Sequence, residues 1–250
     1  MATTARTLPA ALLLCLLLAP TPGAGDAAGK PADAERAATG TGRLSGTVEV
    51  GPELSTRKIK FHLYPDLVKS AEMTGVPSPQ EEVRNVVVYF ANADIPSPAR
   101  TTSKTPAVMR QEGLAFVPHV IAVEKGTTVE FPNGDPIFHN VFSLSRKASF
   151  DLGRYPMGVA KSMTFDAPGL VKVFCHIHSD MSGLIMVLDN PFFAMPDASG
   201  RFDIDRVPPG TYRVVAWHER ARPLETTVRI EPGRTSRLDF KIPLNEATGG

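Results

Sequence analysis

The stretch Phe174-Cys-His-Ile-His-Ser-Asp-Met181 governs how this chain reads. It continues a run in which Val171, Val173 and Cys175 alternate with Lys172 and Phe174, the period-2 pattern of a half-buried strand. Cys175 therefore closes a strand, with His178 three residues on and Met181 three further. A thiolate, an imidazole and a thioether so close together form a soft donor set suited to copper. Such a loop offers one strong nitrogen donor, and a second histidine has to come from a neighbouring strand. Pro136-Ile-Phe-His139-Asn-Val-Phe142 supplies it, 36 residues before the cysteine and just after the alternating run Thr127–Phe131.

Other chemistries fit these residues less well. A lone cysteine is most often an inert buried thiol, but here it stands at ligand spacing from His178. A hydrolytic Cys–His pair would need an orienting third residue and an oxyanion-hole turn, and neither is visible. Zinc accepts Cys and His, yet a thioether suits copper better. Among the remaining histidines, strand alternation aims His176 away from its neighbour Cys175, which makes it a surface non-ligand. His119 reads as a core or rim residue, and His62 and His218 as structural.

The surrounding chain is rich in turns. Its 250 residues hold 20 glycines and 23 prolines, a composition of short strands rather than of a helical bundle. Strand-like runs appear at Leu44–Val50, Lys58–Tyr64, Val86–Phe90, Val120–Val123, Leu184–Leu188, Phe202–Ile204, Tyr212–Trp217, Thr226–Ile230 and Leu238–Ile242. Residues 68–84 read as a polar loop, 95–106 as a Pro/Ser/Thr linker, and Pro209–Gly210 as a type II turn. No amphipathic helix longer than about two turns is visible. The expected class is all-β. With 27 basic and 26 acidic residues the charges nearly cancel, so nucleic-acid binding has no electrostatic footing.

The N-terminus reads as an address. Residues 11–19 are unbroken apolar sequence behind Arg6, followed by small residues and prolines, the order of a secretory signal peptide over 1–25. The run is too short to cross a bilayer, and cleavage is expected between Gly23 and Ala27. It removes Cys15, leaving Cys175 as the single thiol of a mature protein with no membrane span. Residues 26–41 read as a solvated leader.

His139-Asn140-Val141, the C-x2-H-x2-M spacing of Cys175, His178 and Met181, and GTTVEFPNGD at 126–135 together resemble the cupredoxins. These are the blue type 1 copper proteins, and the likeness is to amicyanin- and plastocyanin-like members. The resemblance covers about 107–190 and implies a Greek-key β-sandwich with one copper at its end. His139, Cys175 and His178 would be the trigonal ligands and Met181 the weak axial one, as the chemistry already suggested. Asn140 would tie the two ligand segments together by hydrogen bonding. In the amicyanin loop the position of His176 is not histidine.

The flanks carry a second likeness. Residues 198–244, with G-R-F-x-I, V-P-P-G-x-Y and a final L-D-F-x-I, resemble the second half of a carboxypeptidase-regulatory-like, transthyretin-type β-sandwich. Ser45-Gly-Thr-Val48 and Val86–Phe90 match its start. Segments 42–100 and 192–244 are therefore expected to form one discontinuous sandwich around the cupredoxin, against the alternatives of three consecutive modules or a separate C-terminal unit.

The function expected is that of an exported, most simply periplasmic, copper protein that carries single electrons and is not itself an enzyme. Its partners would be a cytochrome, a dehydrogenase or an oxidase, met transiently at an apolar rim that includes Pro136, Ile137 and Phe138. Copper storage or delivery, and a non-redox binding module on the same scaffold, are the alternatives.

Overall fold

The computed structural model describes residues 40–51, 79–92, 95–96 and 106–242. The expected signal peptide, most of the leader, the run Lys58–Tyr64 and His62 lie outside them. The chain enters with β1 (Gly42–Val50), a four-residue helix α1 (Pro79–Glu82), a 3-10 turn (Val83–Asn85) and β2 (Val87–Phe90). Ten strands follow: β3 (Ala107–Val108), β4 (Arg110–Glu112), β5 (Ala115–Val117), β6 (Val120–Glu124), β7 (Thr127–Pro132), β8 (His139–Ser145), β9 (Ala148–Tyr155), β10 (Ala160–Phe165), β11 (Gly169–Phe174) and β12 (Ser182–Leu188). Six more complete the described chain: β13 (Phe193–Ala194), β14 (Arg201–Val207), β15 (Gly210–Trp217), β16 (Leu224–Ile230), β17 (Thr235–Arg237) and β18 (Phe240–Ile242). No described helix is long and apolar enough to cross a membrane.

β1 pairs with β14, β17 and β18, while β2 lies between β13 and β15, with β16 at the edge. These two sheets therefore join strands from both ends of the described chain. Their inward residues, among them Leu44, Val48, Val88, Phe90, Phe202, Ile204, Val214 and Phe240, share one core. Gly46 is required where β1 passes the β17–β18 connection, because a Cβ there would lie 1.7 Å from the Leu238 carbonyl oxygen. Residues 107–188 build a second sandwich, with sheet orders β10-β7-β3 and β6-β12-β11-β8-β9. Its core includes Phe116, Val129, Phe131, Val141, Phe165, Val173 and Ile185.

A third apolar layer joins the two. Ile185 and Val187 of β12 face the core of their own sandwich, whereas Leu184, Met186 and Leu188 pack with Val87, Tyr89, Phe193 and Trp217 of the other. That explains why the run Leu184–Leu188 does not alternate with polar residues: both faces of the strand are covered.

Two local expectations are corrected. Residues 79–85 are not polar loop, since they form a short helix and a 3-10 turn in which Glu82 and Val83 are buried, Val83 within the core of the first sandwich. Gly210 does not take the positive φ a type II turn requires; the left-handed residue nearby is Arg206, at φ 55°. Small size at Gly210 instead makes room for the Tyr212 ring, which a Cβ would meet at 2.7 Å, and the Tyr212 hydroxyl donates to the Pro209 carbonyl at 3.2 Å.

Candidate metal centre

His139 opens β8, and a bulge between Asn140 and Phe142 interrupts pairing of that strand with β9. A bulge breaks the alternation of faces, and His139, Asn140 and Val141 are buried in succession. Cys175 directly follows β11, and His178 and Met181 lie in the loop leading to β12. That loop is held by its own backbone: the Cys175 N–H donates to the Met181 carbonyl at 3.2 Å, and the Met181 N–H to the His178 carbonyl at 3.0 Å.

The fold brings the donors together. His139 Nδ1 lies 3.1 Å from His178 Nδ1 and 3.9 Å from Cys175 Sγ, and His178 Nδ1 is 3.6 Å from the same sulfur. His139, Cys175 and Met181 are buried, whereas His178 is half-buried. Burial first, and then the adjacent His139, push the His178 imidazole below its ordinary pKa, with Asp135 opposing. That favours the neutral ring a metal needs.

The expected support of Asn140 has a definite geometry. Its Oδ1 accepts the His176 N–H at 3.3 Å and its Nδ2 donates to Asp151 Oδ1 at 2.6 Å, so one side chain links β8, the cysteine loop and β9. The His176 ring stays outside the donor cluster, exposed and 3.8 Å from the Phe142 ring centroid. His119 and His218 are elsewhere. His119 donates from Nδ1 to the Ser182 carbonyl at 3.1 Å and from Nε2 to Glu219 Oε1 at 2.9 Å, spanning the two sandwiches. His218 is buried against Glu82 at 3.2 Å.

One residue escaped the sequence reading. Asp135 Oδ2 lies 2.8 Å from His139 Nε2. The same carboxylate accepts the Gly113 and Leu114 N–H groups at 2.8 and 3.0 Å. Burial pushes the Asp135 carboxyl up, but these N–H groups and His139 outweigh it and hold it below the usual range. The only local signal was an acid four residues before a histidine; the hairpin that anchors the acid is more than twenty residues upstream.

The donor set fits copper. Two nitrogens and a sulfur separated by 3.1 to 3.9 Å are spaced like ligands around one ion, given metal–ligand bonds of about 2.0 to 2.3 Å. With His139 Nε2 directed at a carboxylate, its Nδ1 presents a lone pair to that centre. The buried Met181 belongs to the same core cluster as Cys175.

Comparison with known proteins agrees. The family described as copper binding proteins, plastocyanin/azurin family, matches residues 104–188. Residues 190–238 match the family described as polysaccharide lyase family 4, domain II, compatible with a β-sandwich flank. No curated protein matches the chain. Among solved structures, a copper-containing nitrite reductase from Thermus scotoductus SA-01 is 27% identical, covering 38% of this chain and 25% of that one, TM-score 0.33. The chain thus spans a quarter of that protein's length. A purple cupredoxin from Nitrosopumilus maritimus is 22% identical over 33% of this chain and 99% of its own, TM-score 0.30. Amicyanin from Paracoccus versutus is 21% identical over 40% and 97%, TM-score 0.32. The resemblance read from His139 and the C-x2-H-x2-M loop is thus matched over 104–188, and copper is the metal that this family and this donor set share.

Proposed function

We propose that the protein is an exported, periplasmic carrier of single electrons rather than an enzyme, with its redox centre at His139, Cys175, His178 and Met181. One observation carries this reading: three of the four donors are buried while His178 is half-buried at the edge. Buried donors give a substrate little room to bind, while the half-buried His178 offers one ligand edge through which an electron can pass to a docked protein.

When bound, copper supplies the one-electron couple. The protein's own contribution is to hold the donors in one arrangement for both oxidation states: Asn140 clamps the ligand segments, and the backbone closes the loop. Next to the ligands, Ile137, Phe138 and Ile177 are exposed, Phe138 by 56%. An apolar rim suits a brief contact with another redox protein, such as a cytochrome, a dehydrogenase or an oxidase.

The test is a visible spectrum of the protein with Cu(II), followed by stopped-flow reduction by a small one-electron donor. Wild type should develop an intense thiolate-to-copper band that bleaches on reduction and returns on oxidation, and Cys175→Ser should stay colourless. A wild type that binds copper without this band, or gives the metal up to a mild chelator within seconds, sinks the proposal in favour of storage or delivery.

A further inference from the structure

A histidine ligand can be oriented by any acceptor that takes the proton of its second nitrogen. A neutral carbonyl would suffice. Here the acceptor is a full carboxylate, and the surrounding chain is built to hold it. The Asp135 N–H donates to Asn133 Oδ1 at 2.9 Å, and Asn133 Nδ2 in turn donates to the Ile137 and Tyr155 carbonyls at 2.8 and 3.1 Å. The segment from Asn133 to His139 is thereby braced at both ends. On the other side the β4–β5 hairpin turns through Gly113 (φ 63°) and Leu114 (φ 60°), aiming two N–H groups at the carboxylate. Leucine in the left-handed region is strained. Its side chain is 49% exposed, so burial of Leu114 does not explain the conformation. The two-residue turn between Glu112 and Ala115 requires positive φ at both positions, and in that geometry its two N–H groups reach the carboxylate.

We propose that Asp135 is the positioning residue that sets the redox balance of this site, its carboxylate holding the Nε2–H of His139 and lending the ligand negative charge that favours Cu(II) over Cu(I). The inference rests on the copper reading above. The physical reason is electrostatic. A fixed negative charge hydrogen-bonded to a ligand ring stabilises the more positive metal, and in a buried site it is poorly screened. The same bond leaves Nδ1 of His139 as the metal-facing donor. Ligand-orienting partners of this kind typically change metal affinity about 10- to 100-fold. If the loss falls mainly on Cu(II), a tenfold shift in the Cu(II)/Cu(I) affinity ratio corresponds to about 59 mV for one electron.

Two measurements test this. The first needs neither a variant nor copper: nitrogen-15 spectra of the histidines in the metal-free protein. His139 should be the Nε2–H tautomer, with a strongly downfield ring proton. An Nδ1–H tautomer overturns the proposal. The second is the reduction potential of copper-loaded Asp135→Asn. The thiolate-to-copper band should persist and the potential rise, by at least a tenfold change in affinity ratio. Asp189→Asn, which removes a charge at the far end of β12, should leave it unchanged. An unmoved potential in Asp135→Asn, or an equal rise in both variants, overturns the role of Asp135 while leaving the copper reading intact. A wild type without the band overturns both.

Discussion

Each sandwich buries a histidine against a carboxylate, and the two pairs behave differently. In the flanking sandwich His218 Nε2 meets Glu82 at 3.2 Å, while its Nδ1 accepts the Arg220 N–H at 3.2 Å. Glu82 also binds the Arg220 guanidinium. Both ring nitrogens are engaged by the protein. In the other sandwich His139 gives Nε2 to Asp135 but turns Nδ1 toward His178 and Cys175. That ring faces two other donors across a small gap. A buried histidine–carboxylate pair is therefore not a site in itself; the second nitrogen decides whether it holds the fold or offers a ligand.

The difference can be broken at three places. The largest effect is expected at the His218–Glu82 pair. Glu82→Ala removes the carboxylate facing both His218 and Arg220 in a place only 2% exposed, and should destabilise the protein by about 3 kcal/mol or more. Its copper spectrum should stay as in wild type. Denaturant unfolding and a visible spectrum of the same sample check both halves, and a lost copper band would mean that the two regions are not separable in this way.

The open cluster should show the reverse. His178 is half-buried in a loop held by backbone bonds, so His178→Ala should change the stability of the metal-free protein by about 0.5 kcal/mol or less. The thiolate-to-copper band should disappear or be replaced. A large loss of metal-free stability would make His178 structural and dissolve the contrast.

The smallest effect is expected where the two regions meet. Burial lowers the His119 imidazole, but the hydrogen bond and charge of Glu219 outweigh it and raise its pKa above the ordinary value, with help from Ser182 and Glu82. Burial raises Glu219, but the bond and charge of His119, with His218 and Arg220, hold it below the usual range. The first shift stabilises the fold fully below the ordinary histidine value, and the gain is lost as pH rises through the raised one. The second stabilises above the ordinary carboxylate value, and is lost as pH falls through the depressed one. Their common window runs from mildly acidic to near-neutral pH. Glu219→Gln should therefore lower thermal stability most at about pH 6 and least at about pH 9, by a few tenths to 1 kcal/mol because the pair is partly solvated. A difference independent of pH would rule out the charged pair.

Much of this was legible locally. The alternation of Val171, Val173 and Cys175, and the run Leu184–Leu188, are consequences of strand geometry, and they appear as β11 and β12. Residues 79–85 misled because their polar composition conceals Val83 and Glu82, whose burial depends on partners far along the chain. Gly210 misled because glycine serves two purposes, positive φ and small size, and composition does not say which.

The sequence alone pointed to Cys175, His178 and Met181 as a set of donors, because residues three apart in a tight loop at the end of a strand lie close together. Other decisions came only with the tertiary structure: that Asp135 rather than a carbonyl takes the second nitrogen of His139, that a hairpin at Gly113–Leu114 anchors that acid, and that Glu219 reaches across to His119. Those contacts join distant segments of chain. Distance along the chain leaves no periodic trace, so only the packing of strands from different sheets decides which of many acids meets which histidine.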